Sequence, residues 1–305
     1  MITANVTDYN PSSYTYLNWH NRKYSNANEA WENLYSGLNR DGEICSPRGI
    51  GVKETLRCDI YIENPNDNLV YNTFRGLNPV YLSKEYFWYK SGDNSVEEAS
   101  KLSKFWETIA NEDGTVNSNY GHYIFVKEND GKTIWDKTVD ILRKDPDSRQ
   151  AIIQIPIMRA RGTKDTPCTS SIQFFIRNKK LYATVYMRST DIVLGFPIDI
   201  FQFTMWQNEM ANELGIGTGW MRFISGNIHC YEKNWIENVQ GKFTFQELVF
   251  HENGERILPE DMLRKSSVEF HNDLVNLKEN GKNTDTSIIN DPVLRFMFDH
   301  RKIWK

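Results

Sequence analysis

Apolar residues recur along this chain in two rhythms, one helical and one alternating, and their succession predicts an α/β fold. "NANEAWENLYSGLN" places Trp31, Leu34, Tyr35 and Leu38 at helical spacing, with Asn26 as the capping residue. "LSKEYFWYKSGD" predicts a short buried helix ending at Gly92. "SVEEASKLSKFWETIANEDG" predicts a second, with acids in its first turn and glycine after its end. "GKTIWDKTVDILRKDPDS" predicts an amphipathic helix with Ile134, Val139, Ile141 and Leu142 on its apolar side, stopped by Pro146. "DIFQFTMWQNEMANELG" is the most apolar helical stretch, so it is expected to be central.

Between these, "SPRGIGVKETLRCDIYI" passes from a turn into a strand, and "RQAIIQIPI" predicts a buried strand. "SIQFFIRNKKLYATVYMR" predicts a strand, a tight turn at Asn178-Lys179 and a second, alternating strand. "GWMRFISGNIHCYEKNW" predicts a strand leading into a loop. Residues 1–26 have no clear period and are expected to form an irregular arm. From about residue 240 the pattern weakens, and "KENGKNTDTS" is expected to be an exposed loop or linker. No linker divides the middle of the chain. The expected organisation is one α/β domain over 27–240, with 241–305 as a divergent, peripheral part packed on it.

Composition narrows the function. A net charge of −4 without a basic block argues against a direct nucleic-acid partner. No window reaches the length of a membrane span, and the polar start lacks the apolar core of a signal peptide. Cys45, Cys58, Cys168 and Cys230 are scattered, with no zinc-like spacing, so a cytoplasmic protein with free thiols and no metal is expected. Walker A, GxGxxG, HExxH, GxSxG and zinc-deaminase patterns are absent.

Several residues could carry chemistry. Cys168 follows a proline just before a strand, and Arg188 ends the next strand, close enough to favour a thiolate. The plainer alternative is a small buried hydrophobe. Arg48, Arg149 and Arg188-Ser189 sit in turns or at strand ends, where guanidinium forks suit phosphate, although each alone is an ordinary surface ion-pair residue. Glu85 and Asp199 stand among aromatics, where a carboxylate is costly unless paired or protonated. Asp199 could instead cap a helix. His229 and Tyr231 share one face of a strand, unless the histidine is a core residue satisfied by backbone.

In order and spacing, "DPDSRQAIIQIP", "PCTSSIQFFI", "YMRSTDIVLGFPIDI" and "GNIHCYEKNW" resemble the thymidylate synthase family, and "KEYFWYKSGDN" and "GTVNSNYG" look like its earlier segments. The resemblance covers roughly residues 27–235. It implies an α/β (α+β) fold, a mixed twisted sheet packed with helices, and one sheet face forming a homodimer interface. It also implies 5,10-methylenetetrahydrofolate as co-substrate. By resemblance, Cys168 is the nucleophile that adds to pyrimidine C6, and Arg48, Arg188 and Ser189 hold the phosphate. Arg149 reaches the neighbouring subunit's site, Glu85 and Tyr120 belong to a proton-transfer network with ordered water, and His229 and Tyr231 bind the sugar. Trp106, Asp191, Leu194 and Gly195 line the folate pocket.

Departures from the synthase pattern point to a different member. Asp199 stands in place of asparagine and matches the cytosine edge, accepting from the amino group and, if protonated, donating to N3. Thr169 replaces the histidine after the nucleophile, and "RFMFDHRKIWK" lacks a recognisable closing tail. Gln150 replaces a second arginine. The pattern resembles the phage-type deoxycytidylate hydroxymethylase branch, in which water adds to the transferred carbon of dCMP. The competing expectations are a dCMP 5-methyltransferase, a CMP hydroxymethylase and an inactive nucleotide-binding member. A cysteine hydrolase would leave the arginines without a reason.

Overall fold

The computed structural model describes residues 18–160, 162–236 and 267–301. Of the expected irregular arm over 1–26, residues 1–17 lie outside them, as do the weakly patterned 237–266 and the last four residues of the tail, whereas 18–26 hold a 3-10 turn and a short paired strand with Trp19 and Tyr24 buried. The strands are β1 (Lys23–Tyr24), β2 (Glu43–Cys45), β3 (Val52–Thr55), β4 (Cys58–Ile62), β5 (Ile152–Gln154), β6 (Thr169–Arg177), β7 (Lys180–Met187), β8 (Thr190–Asp191), β9 (Gly217–Ser225) and β10 (Ile228–Tyr231). A six-stranded sheet has the order β1-β4-β9-β7-β6-β5, and a four-stranded sheet has the order β2-β3-β10-β8. Pairings are mixed: β7 with β9 and β1 with β4 are parallel, while β6 with β7 and β4 with β9 are antiparallel.

The helices are α1 (Ala27–Asp41), α2 (Pro79–Ser91), α3 (Val96–Leu102), α4 (Phe105–Ile109), α5 (Tyr120–Phe125), α6 (Ile134–Lys144), α7 (Phe196–Glu213), α8 (Ser267–Asn280) and α9 (Pro292–Asp299). Their starts follow from local chemistry. Asn26 accepts from the Glu29 amide at 2.8 Å, and Thr133 and Asp136 form a reciprocal capping box at α6. Gly92 ends α2 with φ 69°, a conformation costly for residues with a Cβ. A Cβ on Gly121 would lie 1.7 Å from the Tyr89 carbonyl oxygen, so only glycine lets α5 approach α2 this closely.

The hairpin predicted at Asn178-Lys179 is present, with φ 51° and 56°, the left-handed pair that suits a two-residue connection. Parallel β7 and β9 need a crossover, and α7 provides it, which explains the apolar character of that helix. Where the β7–β9 register shifts, Gln207 Nε2 donates to the carbonyls of Leu181, Gly219 and Trp220.

Some elements differ from expectation. The stretch predicted as one helix over 95–114 is two, α3 and α4, separated at Ser103-Lys104. On α6 the buried side chains are Trp135, Thr138, Val139 and Leu142, and Ile134 and Ile141 are only partly covered. "RQAIIQIPI" forms an edge strand with Ile152 37% exposed, not a fully buried one. "KENGKNTDTS" contains the end of α8 and short 3-10 turns. Helix α8 lies against α2 and buries Phe270, Leu274 and Leu277.

Two segments predicted as single strands each divide between the sheets. The chain leaves the four-stranded sheet after β3 and joins the six-stranded sheet at β4, and it makes the reverse passage from β9 to β10. These breaks lie level with one another. Ser225 pairs with both Cys58 and Met187 on one side, and Ile228 pairs with both Thr55 and Thr190 on the other. The corner so formed holds Arg188 and Ser189, between β7 and β8.

Candidate active site

Cys168 immediately precedes β6 at this corner and is partly buried. Its carbonyl accepts from the Arg188 amide at 2.8 Å. The Arg188 guanidinium donates to the Pro167 carbonyl at 2.9 Å and to the Thr166 carbonyl at 2.7 Å, wrapping the cysteine loop. That loop is fastened to the one before α5. Asp165 accepts from the Ser118 amide at 2.7 Å and hydroxyl at 2.6 Å, and Asn117 Nδ2 donates to the Asp165 carbonyl at 2.8 Å.

The proximity of Cys168 and Arg188 is as predicted, but its electrostatic consequence is not. Burial pushes the Cys168 thiol up to about 11, and Asp199, Asp165 and Asp191 add to the rise while Arg188 opposes it. The free site therefore holds a thiol rather than a standing thiolate, because desolvation and the three carboxylates outweigh one guanidinium already engaged with loop carbonyls.

Asp199 lies in the first turn of α7, three residues beyond Phe196, and does not cap the helix. The cap position is Gly195, without a side-chain cap bond, and the Asp199 amide donates to the Gly195 carbonyl at 2.9 Å as an ordinary helical residue. As a whole residue Asp199 is half-buried, its carboxyl end set inward. Burial, with the Asp191 carboxylate second, raises it to about 7. Gly195 is its near neighbour: a Cβ there would stand 3.4 Å from Asp199 Oδ2.

Glu85, on the face of α2 toward α7, is 3% exposed. Burial raises it to about 8, with the Asp199 carboxylate as the next cause. Tyr81, one turn earlier, donates to Glu85 Oε1 at 3.1 Å. Tyr120 stacks on Tyr89 at 5.5 Å and is electrostatically coupled to both Asp199 and Cys168, with Thr169 as hydrogen-bonding neighbour. Four groups that can hold protons thus adjoin one another: Cys168, Tyr120, Asp199 and Glu85.

At the corner, His229 and Tyr231 project from the same face of β10, rings edge to face at 5.2 Å. His229 Nδ1 lies 2.9 Å from Asn227 Oδ1 and 3.4 Å from the Ser189 hydroxyl. Burial is the main influence lowering its pKa; Arg188 and Arg48 act in the same direction and Asp191 opposes them. Arg48 is exposed, in a turn with φ 54°, left-handed backbone that a side chain rarely adopts, beside Gly49 at φ 79°. Such strain concentrates where a loop is held for use.

Asp191 Oδ1 accepts from the Val193 and Leu194 amides at 2.7 and 3.1 Å and shapes the turn into α7. Leu194 is 41% exposed. Trp106 is buried against Trp88, and its indole N–H lies within reach of the Tyr81 hydroxyl. Arg149 is not brought to this cluster. It precedes edge strand β5 and is exposed, and its carbonyl accepts from Gln173. Five residues along β6 separate Gln173 from Cys168, roughly 17 Å at strand rise. Gln150 is exposed beside it.

Sequence reasoning missed Tyr81, Arg75, Asp165 and Gln202. Tyr81 was legible as the residue four before Glu85 on one helix. Arg75, buried with Nε donating to the Val193 carbonyl and Nη1 unpartnered, had no local signal.

The model of the family described as thymidylate synthase matches residues 33–250. The chain belongs to the thymidylate synthase family. Among curated relatives, the deoxycytidylate 5-hydroxymethyltransferase of Enterobacteria phage T4 is 33% identical over 176 residues, covering 53% of this chain and 71% of the relative. The deoxyuridylate hydroxymethyltransferase of Bacillus phage SP01 is 28% identical over 220 residues, 68% of this chain and 57% of the relative. A thymidylate synthase of Fusobacterium nucleatum is 28% identical over 160 residues, 52% of this chain and 58% of that enzyme. Within the thymidylate synthase family, then, this chain is similar to members named for two different pyrimidines and two different products. Among the described residues no group of His, Cys, Asp and Glu could hold a metal, and no helix is long and apolar enough to cross a membrane.

Proposed function

We propose that this chain converts dCMP to 5-hydroxymethyl-dCMP, with 5,10-methylenetetrahydrofolate as co-substrate. The observation that carries the choice of base is Asp199, which does not serve as a helix cap and whose carboxyl is raised to about 7. A protonated Asp199 donates to cytosine N3 while its other oxygen accepts from the amino group. Uracil presents an N–H and a carbonyl there, and the ionised form of Asp199 meets the cytosine amino group but leaves the uracil carbonyl facing an acceptor without a proton. This favours the deoxycytidylate reading over the deoxyuridylate one.

The folate fits the residues present: exposed Leu194 stands in the turn before α7, its amide held by Asp191, with Gly195 next to it carrying no side chain to block an apolar ligand. When bound, the folate supplies the one-carbon unit at the methylene level. The chain's own residues do the rest. Cys168 adds to C6 of the pyrimidine and makes C5 nucleophilic, its proton passing to a neighbouring base as the C–S bond forms. Glu85 and Tyr120 hold and move protons at C5 and at the adding water. Arg48, Arg188 and Ser189 hold the phosphate, and His229 with Tyr231 holds the sugar hydroxyl. After C5 has lost its proton and gained the carbon, water adds to that carbon as the thiol departs from C6.

The same reading makes the active form a homodimer through a sheet face. Arg149, at a level roughly 17 Å from its own Cys168 at strand rise, then serves the partner subunit's phosphate. It takes 27–240 as the catalytic domain, preceded by an arm over 1–26, with 241–305 packed on it.

The test is mass analysis of product after incubation with dCMP and methylenetetrahydrofolate. A gain of CH2O is expected. A gain of CH2 would make the chain a methyltransferase, turnover of CMP in preference to dCMP would change the sugar assignment, and no product would leave a nucleotide-binding member.

A further inference from the structure

Gln202 lies three residues after Asp199 on α7 and is 1% exposed, and neither atom of its amide has a hydrogen-bond partner. Across from it, Glu85 Oε2 on α2 is also buried and unpartnered, while Oε1 accepts from Tyr81. The Gln202 amide is close enough to Glu85 to act on its carboxyl, lowering a pKa that burial and Asp199 raise. A buried amide left unpaired costs about 1–3 kcal/mol. Packing alone would therefore favour an apolar side chain of the same size. Farther along α7, Gln207 shows the contrast, its amide nitrogen spent on three carbonyls at the β7–β9 register shift.

We propose that Gln202 is a positioning residue for Glu85, holding the Oε2 side of its carboxyl and orienting the water that this carboxyl serves. The inference rests on the hydroxymethylation reading above. A glutamine suits the task because its amide meets both forms of the acid. Its N–H donates to a carboxylate, and after rotation its carbonyl accepts from the protonated acid. Glu85 can take up and release a proton without losing its orientation. The titratable groups facing Glu85 are Tyr81 and Tyr89 on α2 and Asp199 on α7. Of these, the Tyr81 hydroxyl is engaged at Oε1, which leaves the Oε2 side to Gln202.

The test is Gln202→Met, nearly equal in volume and without hydrogen-bonding capacity. The expected result is a thermal midpoint unchanged or raised and a KM for dCMP within about twofold of wild type, with kcat lower by about tenfold or more. The limb of the kcat–pH profile that belongs to Glu85 moves to higher pH, because a donor to the carboxylate is gone. A lowered midpoint with an unmoved limb would make Gln202 a packing residue and overturn the proposal. If Gln202→Met does not fold, Gln202→Glu reads the same contact, since a second carboxyl raises the limb, and an unmoved limb again overturns it. Wild-type enzyme assayed alongside separates the two failures. Absence of 5-hydroxymethyl-dCMP from wild type defeats the functional reading, whereas active wild type with unaltered Gln202 variants defeats this inference alone.

Discussion

Asp165 and Ser118 form a two-point latch, the carboxylate taking both the backbone N–H and the hydroxyl of the serine, at 2.7 and 2.6 Å. The latch joins the loop that delivers Cys168 to the one that delivers Tyr120, 48 residues apart in sequence (168 − 120). Asp165→Ala removes both acceptors and leaves two partly buried donors to water or no partner, which is expected to cost about 1 kcal/mol of stability. Asp165→Asn keeps one acceptor and is expected to cost less. Urea unfolding of the two variants checks the order. Equal stability of Asp165→Ala and wild type would show that the loops are held by other contacts.

Asp199→Asn is expected to move preference from dCMP toward dUMP. The amide satisfies uracil N3–H and O4 together, and two altered hydrogen bonds at about 1–3 kcal/mol each allow roughly a ten- to ten-thousand-fold change in the ratio of specificity constants. The lower end is expected, because Thr169 occupies the position after the nucleophile. Specificity constants for both nucleotides decide the matter, and an unchanged ratio would remove Asp199 from base recognition.

Cys168→Ser is expected to abolish turnover while dCMP binding remains, and Arg149→Ala to lose activity through the phosphate. Mixing the two inactive variants after subunit exchange should restore activity, since a hybrid dimer holds one site with both residues intact. Failure to recover activity in verified hybrids would count against Arg149 acting across subunits.

The raised carboxyls give a pH signature. Glu85 moves from 4.5 to about 8 and Asp199 from 3.8 to about 7, with burial the main cause in each. A carboxyl raised on folding contributes stability that is complete below its unfolded pKa and lost as pH rises through the folded one. The protein should therefore lose stability between about pH 4.5 and 8, by at most roughly 1.4 kcal/mol per unit for each group. Glu85→Gln should gain on wild type progressively across that window. Chemical denaturation at several pH values measures the difference, and a constant difference would mean that Glu85 is not raised.

Most of this site was legible where chemistry and local pattern coincide. Cys168 beside Arg188 follows from a tight turn between paired strands, and the shared face of His229 and Tyr231 follows from alternation. What escaped were relations made by tertiary packing. The breaks that divide β3 from β4 and β9 from β10 arise from a sheet corner that no single strand encodes. The protonated state of Cys168 depends first on burial and then on carboxylates, of which Asp191 and Asp199 come from beyond the next strand. Gln202 looked like one more residue of an apolar helix until α2 placed Glu85 against it.

The covering of α2 by α8 has a consequence for the order in which this protein becomes active. The Ser83 hydroxyl donates to the carbonyl of Leu274, a contact spanning 191 residues. Contacts so distant in sequence close late, after the nearer pairings have paid part of the entropy. During synthesis the sheet and α7 can assemble around Cys168 while the outer face of α2, which Phe270, Leu274 and Leu277 later cover, still faces water. The face of α2 under α8 is therefore expected to be covered last, when the helices that follow α7 dock onto it.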